Sequence, residues 1–395
     1  MQIKRCKAML LALALVLCCT PAYAQPMEEG VPMSISAPCA ILMEPVTGRV
    51  VFEKSADERR PVASVTKVMT ILLTLEAIDE GRIALDDVVT VSPNAESMGG
   101  SQAFLSAGGR YKVSDLLKSV IIASANDSAV ALAEHIAGAH EAFVRRMNER
   151  AAELGLENTN FVNCTGLPAQ GHFMSARDVA TLSSELDRHP LYYEYSTIWV
   201  DEIAHGAGRV TQLTNTNRLV RFYPGCDGYK TGSTNEARYC MAATAKQDGM
   251  RLIAVVLGCP TGQTRFNEAR AMLEYGFARY QLSYPIREGE ALGMSIPVRL
   301  GNVDSVSVVG GGTCALLLPK GTQGEIALEP VLDDSVAAPV HQGDALGEIC
   351  VLRGEEIVAS VPAVAGEAVG LPGMLSSLLR IRDRFMLVPP PALND

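Results

Sequence analysis

The sequence lacks the patterns that hold a metal ion or a nucleic acid. There is no Cys-x-x-Cys pair and no tight group of histidine with cysteine. The six histidines are scattered; His135 and His140, five apart on an expected helix, make a poor ligand pair. Metal-assisted hydrolysis therefore has no ligand set to rest on, and no cofactor is expected. No basic stripe runs along the chain and the formal net charge is −10, so a nucleic-acid partner is excluded. Long apolar runs are scarce as well. Ala8 to Cys19 is twelve residues, short of the ~20 that span a bilayer. Lys4, Arg5 and Lys7 precede that run and Ala22-Tyr23-Ala24 follows it. This is the order of a secretory signal over residues 1–24. The chain is expected to be exported and to work at the outer face of the cytoplasmic membrane, in the periplasm or in the cell wall. Cleavage after Ala24 removes three positive charges and takes the formal net charge to −13. The remaining chain is longer than a usual single domain. It keeps Cys39, Cys164, Cys226, Cys240, Cys259, Cys314 and Cys350. Export permits disulfides, the odd number leaves at least one thiol free, and spacing does not fix the pairing.

What is present is a set of three short motifs: Ser64-Val65-Thr66-Lys67, Ser124-Ala125-Asn126 and Lys230-Thr231-Gly232. Each alone has a plain structural reading. Ser64 suits a helix N-cap, Asn126-Asp127 suits the start of the next helix, and Gly225, Gly228 and Gly232 suit a hairpin around Lys230. Together and in this order they outline acyl transfer by a serine nucleophile. A serine hydroxyl needs an adjacent base. Apolar Val68, Met69, Leu72, Leu75 and Ile78 recur at helical spacing, so Ser64 and Lys67 share a helix face about 5–6 Å apart. A lysine serves as base at neutral pH only if burial or a second cation lowers its pKa, and Lys230 is the candidate second cation. A helix start at Ser64 also offers unpaired N–H groups to a developing oxyanion.

Ala63 to Thr70, Ser124 to Ser128 and Asp227 to Ser233 resemble the active-site segments of the low-molecular-weight penicillin-binding proteins that are serine-type D-alanyl-D-alanine carboxypeptidases. Asn163 to Leu167 and Ser175 to Asp178 are similar to that family too. The resemblance covers about residues 34–280. It implies that Ser64 forms the acyl-enzyme, Lys67 takes its proton and Ser124 relays a proton to the leaving amine. It implies that Asn126 holds the substrate backbone, Lys230 and Thr231 meet the terminal carboxylate, and Gly232 lets the strand approach. The backbone N–H groups of Ser64 and Ser233 form the oxyanion hole. Arg265 either helps bind the carboxylate or only opens a helix. The implied reaction removes the terminal D-alanine of peptidoglycan stem peptides, limits cross-linking, and makes β-lactams acylate Ser64. A β-lactamase or transpeptidase on the same scaffold, or a catalytically silent wall-binding or penicillin-sensing protein, stays open. The second motif is Ser-Ala-Asn and no Glu-x-x-Leu-Asn segment lies between the second and third, which favours the carboxypeptidase.

The expected fold class is α+β and multidomain. Residues 25–283 form a β-lactamase/transpeptidase-like domain, an antiparallel sheet with flanking helices and a helical lobe. Strands are expected at Ala40 to Met43, Arg49 to Phe52, Tyr239 to Lys246 and Leu252 to Leu257, with a helix over Thr264 to Tyr280. The cleft falls between sheet and lobe. Residues 284–369, with short β-like runs and Gly310-Gly311-Gly312, form a small all-β domain. Residues 370–395 read as a terminal amphipathic helix. Met374, Leu375, Leu378, Leu379, Ile381, Phe385 and Met386 alternate there with Arg380, Arg382 and Arg384, a pattern suited to an anionic membrane surface.

Overall fold

The computed structural model describes residues 33–374 and residue 378. The signal segment and nearly all of the terminal amphipathic segment lie outside the described residues. The chain forms two compact units, one ending at Arg279 and one beginning at Tyr280.

The first unit is built on an antiparallel sheet of β1 (Cys39–Glu44), β2 (Arg49–Lys54), β3 (Cys226–Thr234), β4 (Arg238–Gln247) and β5 (Met250–Cys259). Its spatial order is β2-β1-β5-β4-β3. The β1–β2 turn forms because the buried Glu44 carboxylate accepts from Val46 N, Thr47 N and Thr47 Oγ1, with Gly48 at φ +68°. Side chains alternate across the sheet. Ile41, Met43, Ile253, Val255 and Leu257 join the main core.

Six helices matter to the site: α1 (Lys67–Asp79), α2 (Val113–Ile122), α3 (Asn126–Ala137), α4 (His140–Glu153), α5 (Ala176–Glu185) and α6 (Gly262–Arg279). Leu42 and Leu252 face α6 across Gly276, where an added Cβ would lie 2.4 Å from a Leu252 methyl. α1 is buried nearly all round, which marks a central helix rather than a surface one. It packs against α2, α3, α4 and α5. Helix α6 begins two residues before the expected Thr264 and stops at Arg279, because Tyr280 already pairs with Pro319 in the second unit.

The second unit begins with β6 (Tyr280–Ile286) and continues through β7 (Ala291–Arg299), β8 (Ser305–Gly310), β9 (Cys314–Pro319), β10 (Ile326–Leu332), β11 (Ala345–Arg353) and β12 (Glu356–Ala365). β6 pairs with β9. The other five lie in a sheet of order β10-β11-β12-β8-β7, closed by the short strand Val336–Ala337. The core holds Val306, Val308, Leu346, Ile349, Val351 and Ala363. The change of texture read near residue 284 falls inside β6, and pairing with β9 carries that whole strand into the second unit. All seven cysteines described are free thiols, six of them buried. No helix among the described residues is long and apolar enough to cross a membrane.

Candidate active site

Ser64 stands in a 3-10 turn, Ala63–Thr66, immediately before α1. Ala63 takes φ +50°, so the backbone reverses sharply just before the hydroxyl. The turn is braced from outside by Gly166, at φ +80°, where an added Cβ would lie 1.9 Å from Ala63 O. Only glycine fits that contact.

Lys67 opens α1 and is fully buried. Its Nζ donates to Ser64 Oγ at 2.9 Å and to Thr165 O at 2.6 Å. The sequence put these two side chains on one helix face; the structure brings them into direct contact. Burial lowers the Lys67 pKa from 10.5 to about 7, because a desolvated ammonium loses its hydration. A neutral amine at this position can take the Ser64 proton. Of the two causes the sequence left open, burial or a second cation, burial is the larger one here. The Lys230 pKa also drops well below its ordinary value, through burial first, then Lys67, then Arg265.

Ser124 lies between α2 and α3 with φ +64°. Its buried Oγ has no hydrogen-bond partner among the described residues. Beside it, Asn126 donates from Nδ2 to Gly99 O at 2.6 Å, while its buried Oδ1 has no partner there either. A ligand that offers a donor to each of these two oxygens would be bound by both.

The third motif lies on β3. Lys230 and Thr231 are buried, and Lys230 Nζ donates to Thr231 O at 3.2 Å. Gly232 sits against the nucleophile turn: an added Cβ would be 2.5 Å from Val62 O and 3.0 Å from Ser64 N. The strand therefore runs beside the Ser64 turn only because position 232 has no side chain. Ser233 follows, exposed, opposite Tyr239 on β4. Arg265 does not open its helix, which starts at Gly262. Its Nη1 donates to Gly232 O at 2.9 Å and to Cys240 O at 3.4 Å, with the guanidinium 4.8 Å from the Phe266 ring centre. It supports the third-motif strand.

The loop holding Thr165 was matched in sequence but given no role there. Asn163 Oδ1 accepts from Thr165 N, Thr165 Oγ1 and Gly166 N, and this aims Thr165 O at Lys67. The asparagine-to-glycine spacing was the available signal. His172 ties the same region to α1. Val162 N donates to its Nδ1 at 3.1 Å, so Nε2 carries the proton and donates to Thr66 Oγ1 at 2.7 Å. Burial pulls His172 down to about 4, which keeps it neutral in this role. Lys67 has a hydroxyl and a main-chain carbonyl as partners and no carboxylate. A hollow of about 350 Å³ between Leu73, Glu80, Ile136 and Phe143 lies toward the other end of α1 and gathers no nucleophile.

Residues 25–261 match the family described as D-alanyl-D-alanine carboxypeptidase, and residues 280–370 match the penicillin-binding protein 5 C-terminal domain. The chain is 39% identical over 345 residues to the D-alanyl-D-alanine carboxypeptidase DacF of Bacillus subtilis, covering 87% of this chain and 88% of that one. It is 36% identical to DacC of Escherichia coli, covering 80% of each. Penicillin-binding protein 5 from Haemophilus influenzae superposes with a TM-score of 0.75 at 31% identity, over 87% of this chain and 100% of the other.

Proposed function

The chain belongs to the D-alanyl-D-alanine carboxypeptidase family, and from that premise we propose how its residues divide the work of a serine-type D-Ala-D-Ala carboxypeptidase. Ser64 Oγ attacks the carbonyl carbon of the D-Ala-D-Ala peptide bond while Lys67 takes the hydroxyl proton. The oxyanion that forms is held by the main-chain N–H groups of Ser64 and Ser233. Ser124 passes a proton to the departing amine, the C–N bond breaks, and D-alanine leaves. Water then hydrolyses the Ser64 ester and restores the hydroxyl. Lys230 and Thr231 meet the terminal carboxylate, and Asn126 meets the backbone of the acyl portion. Charge on the substrate explains why a depressed Lys230 is tolerated: the incoming carboxylate supplies the counter-charge that returns its proton.

The protein acts on peptidoglycan stem peptides and is a target of β-lactams, whose amide stands in for the scissile bond. Trimming the terminal D-alanine removes the acyl donor for transpeptidation and so limits cross-linking. Residues 1–24 are read as the export signal. The basic apolar segment from residue 370 onward is read as the part that rests on the outer face of the cytoplasmic membrane.

The observation that carries the catalytic assignment is the buried Lys67 amine 2.9 Å from Ser64 Oγ. The test is D-alanine release from diacetyl-Lys-D-Ala-D-Ala by the mature protein, alongside intact mass after benzylpenicillin. Release and one penicilloyl adduct, both lost in Ser64→Ala, are expected. Rapid nitrocefin turnover without D-alanine release would make it a β-lactamase. An adduct that persists in Ser64→Ala would remove Ser64 as nucleophile.

A further inference from the structure

The ring of Phe104 takes no part in the chemistry above, yet the backbone is strained to present it. Phe104 has φ +60° and is 56% exposed. For a bulky residue that left-handed conformation is strained and persists only where its surroundings over-determine it. Here they do. The carboxylate of Asp127, fully buried, accepts from Ala103 N and from Leu105 N, both at 3.0 Å, one on each side of Phe104. From the other direction Arg209 Nη2 donates to Phe104 O at 3.0 Å and to Ser106 Oγ at 3.3 Å.

The same segment is bonded to the second motif. Gly99 O accepts from Asn126 Nδ2, and Ser101 O accepts from Asn126 N at 2.7 Å. Asn126 and the next residue, Asp127, thus fix one segment, Asn126 at its start and Asp127 around Phe104. Asn126 serves the acyl side of the substrate and Lys230 the leaving carboxylate. A segment bonded to Asn126 therefore borders the acyl side, upstream of D-Ala-D-Ala.

We propose that Phe104 is a substrate-contact residue whose ring packs on aliphatic C–H groups of the stem peptide upstream of D-Ala-D-Ala, with Asp127 as the positioning residue that holds it there. The inference rests on the functional reading above. It gives the buried Asp127 carboxylate, unused by the acyl-transfer steps, a purpose: it commits Phe104 to one backbone conformation before substrate arrives, so little ordering cost remains at binding.

The test compares D-alanine release by wild type and Phe104→Ala on diacetyl-Lys-D-Ala-D-Ala, on a free pentapeptide and on the disaccharide-pentapeptide. The expected result is a loss of about five- to tenfold in kcat/KM on both longer substrates, the size of one aromatic contact. The short substrate and the rate of benzylpenicillin acylation should change less than twofold. Phe104→Gly, which accepts the left-handed backbone without strain, should show the same pattern with an undiminished melting temperature. Equal loss on all three substrates, or loss on none, overturns the proposal. Loss confined to the disaccharide-pentapeptide assigns the ring to sugar and overturns its assignment to peptide. If wild type releases no D-alanine at all, the functional reading fails by itself. Protection of Ser64 from benzylpenicillin by the pentapeptide then carries the comparison, and equal protection in wild type and Phe104→Ala overturns the proposal.

Discussion

At the scale of single residues, the decisive quantity is the proton on Lys67. Burial favours the neutral amine and brings its pKa to about 7. With the neutral amine as the proposed base, activity follows deprotonation. Below pH 7 the neutral fraction falls tenfold per unit, and above it the fraction saturates. Stopped-flow acylation by benzylpenicillin should therefore rise with pH up to about 7 and then level. Lys67→Arg, which stays protonated throughout, should abolish acylation while leaving the circular dichroism spectrum unchanged. A flat profile between pH 5 and 8 would sink the assignment of Lys67 as base. The identity of this pair was legible in Ser64-x-x-Lys67 because an i, i+3 spacing puts both on one face. Two further residue-scale facts were not legible. Which of burial and a second cation lowers the pKa stayed open, because burial by the whole core is encoded in no local pattern. The partner that fixes Nζ is a main-chain carbonyl, at Thr165, which every residue possesses.

At the scale of elements, the site is a junction of turns held by side chains that touch no substrate. Asn163 is the clearest case, accepting three donors and aiming Thr165 O. Asn163→Ala leaves Thr165 N, Thr165 Oγ1 and Gly166 N without that acceptor. One or two of these groups unsatisfied cost about 2–4 kcal/mol. A fall in denaturation midpoint of that size is expected in urea titration, together with slower acylation as Lys67 loses its carbonyl partner. A midpoint equal to that of wild type would mean that the loop holds itself. The elements themselves were largely readable. The helix read from the apolar spacing at Val68, Met69, Leu72 and Leu75, and the strands read at Ala40 to Met43 and Arg49 to Phe52, appear where the sequence placed them, because those signals are local. The left-handed backbone at Ala63, Phe104 and Ser124 was unreadable. None is glycine, and Ala63 and Phe104 are held by contacts from segments distant in sequence.

At the scale of the whole molecule, two of the hydrophobic cores among the described residues, one in each unit, share no residue. One gathers around α1 and the inner face of the first sheet; the other is the apolar interior of the second unit. Apolar burial is what makes a unit melt as one. Two such cores therefore predict two cooperative transitions rather than one. Acylation of Ser64 adds contacts only to the first unit, so benzylpenicillin should move one transition and leave the other in place. The converse perturbation is Leu346→Ala in the second core, where a fully buried leucine leaves a cavity costing about 2–5 kcal/mol. It should lower only the transition that the antibiotic does not move, and it should leave the acylation rate at Ser64 as in wild type. Differential scanning calorimetry of the mature protein with and without benzylpenicillin reads both effects. A single transition, or a Leu346→Ala change that shifts both, would show that the two cores melt as one and that the second unit lends stability to the site.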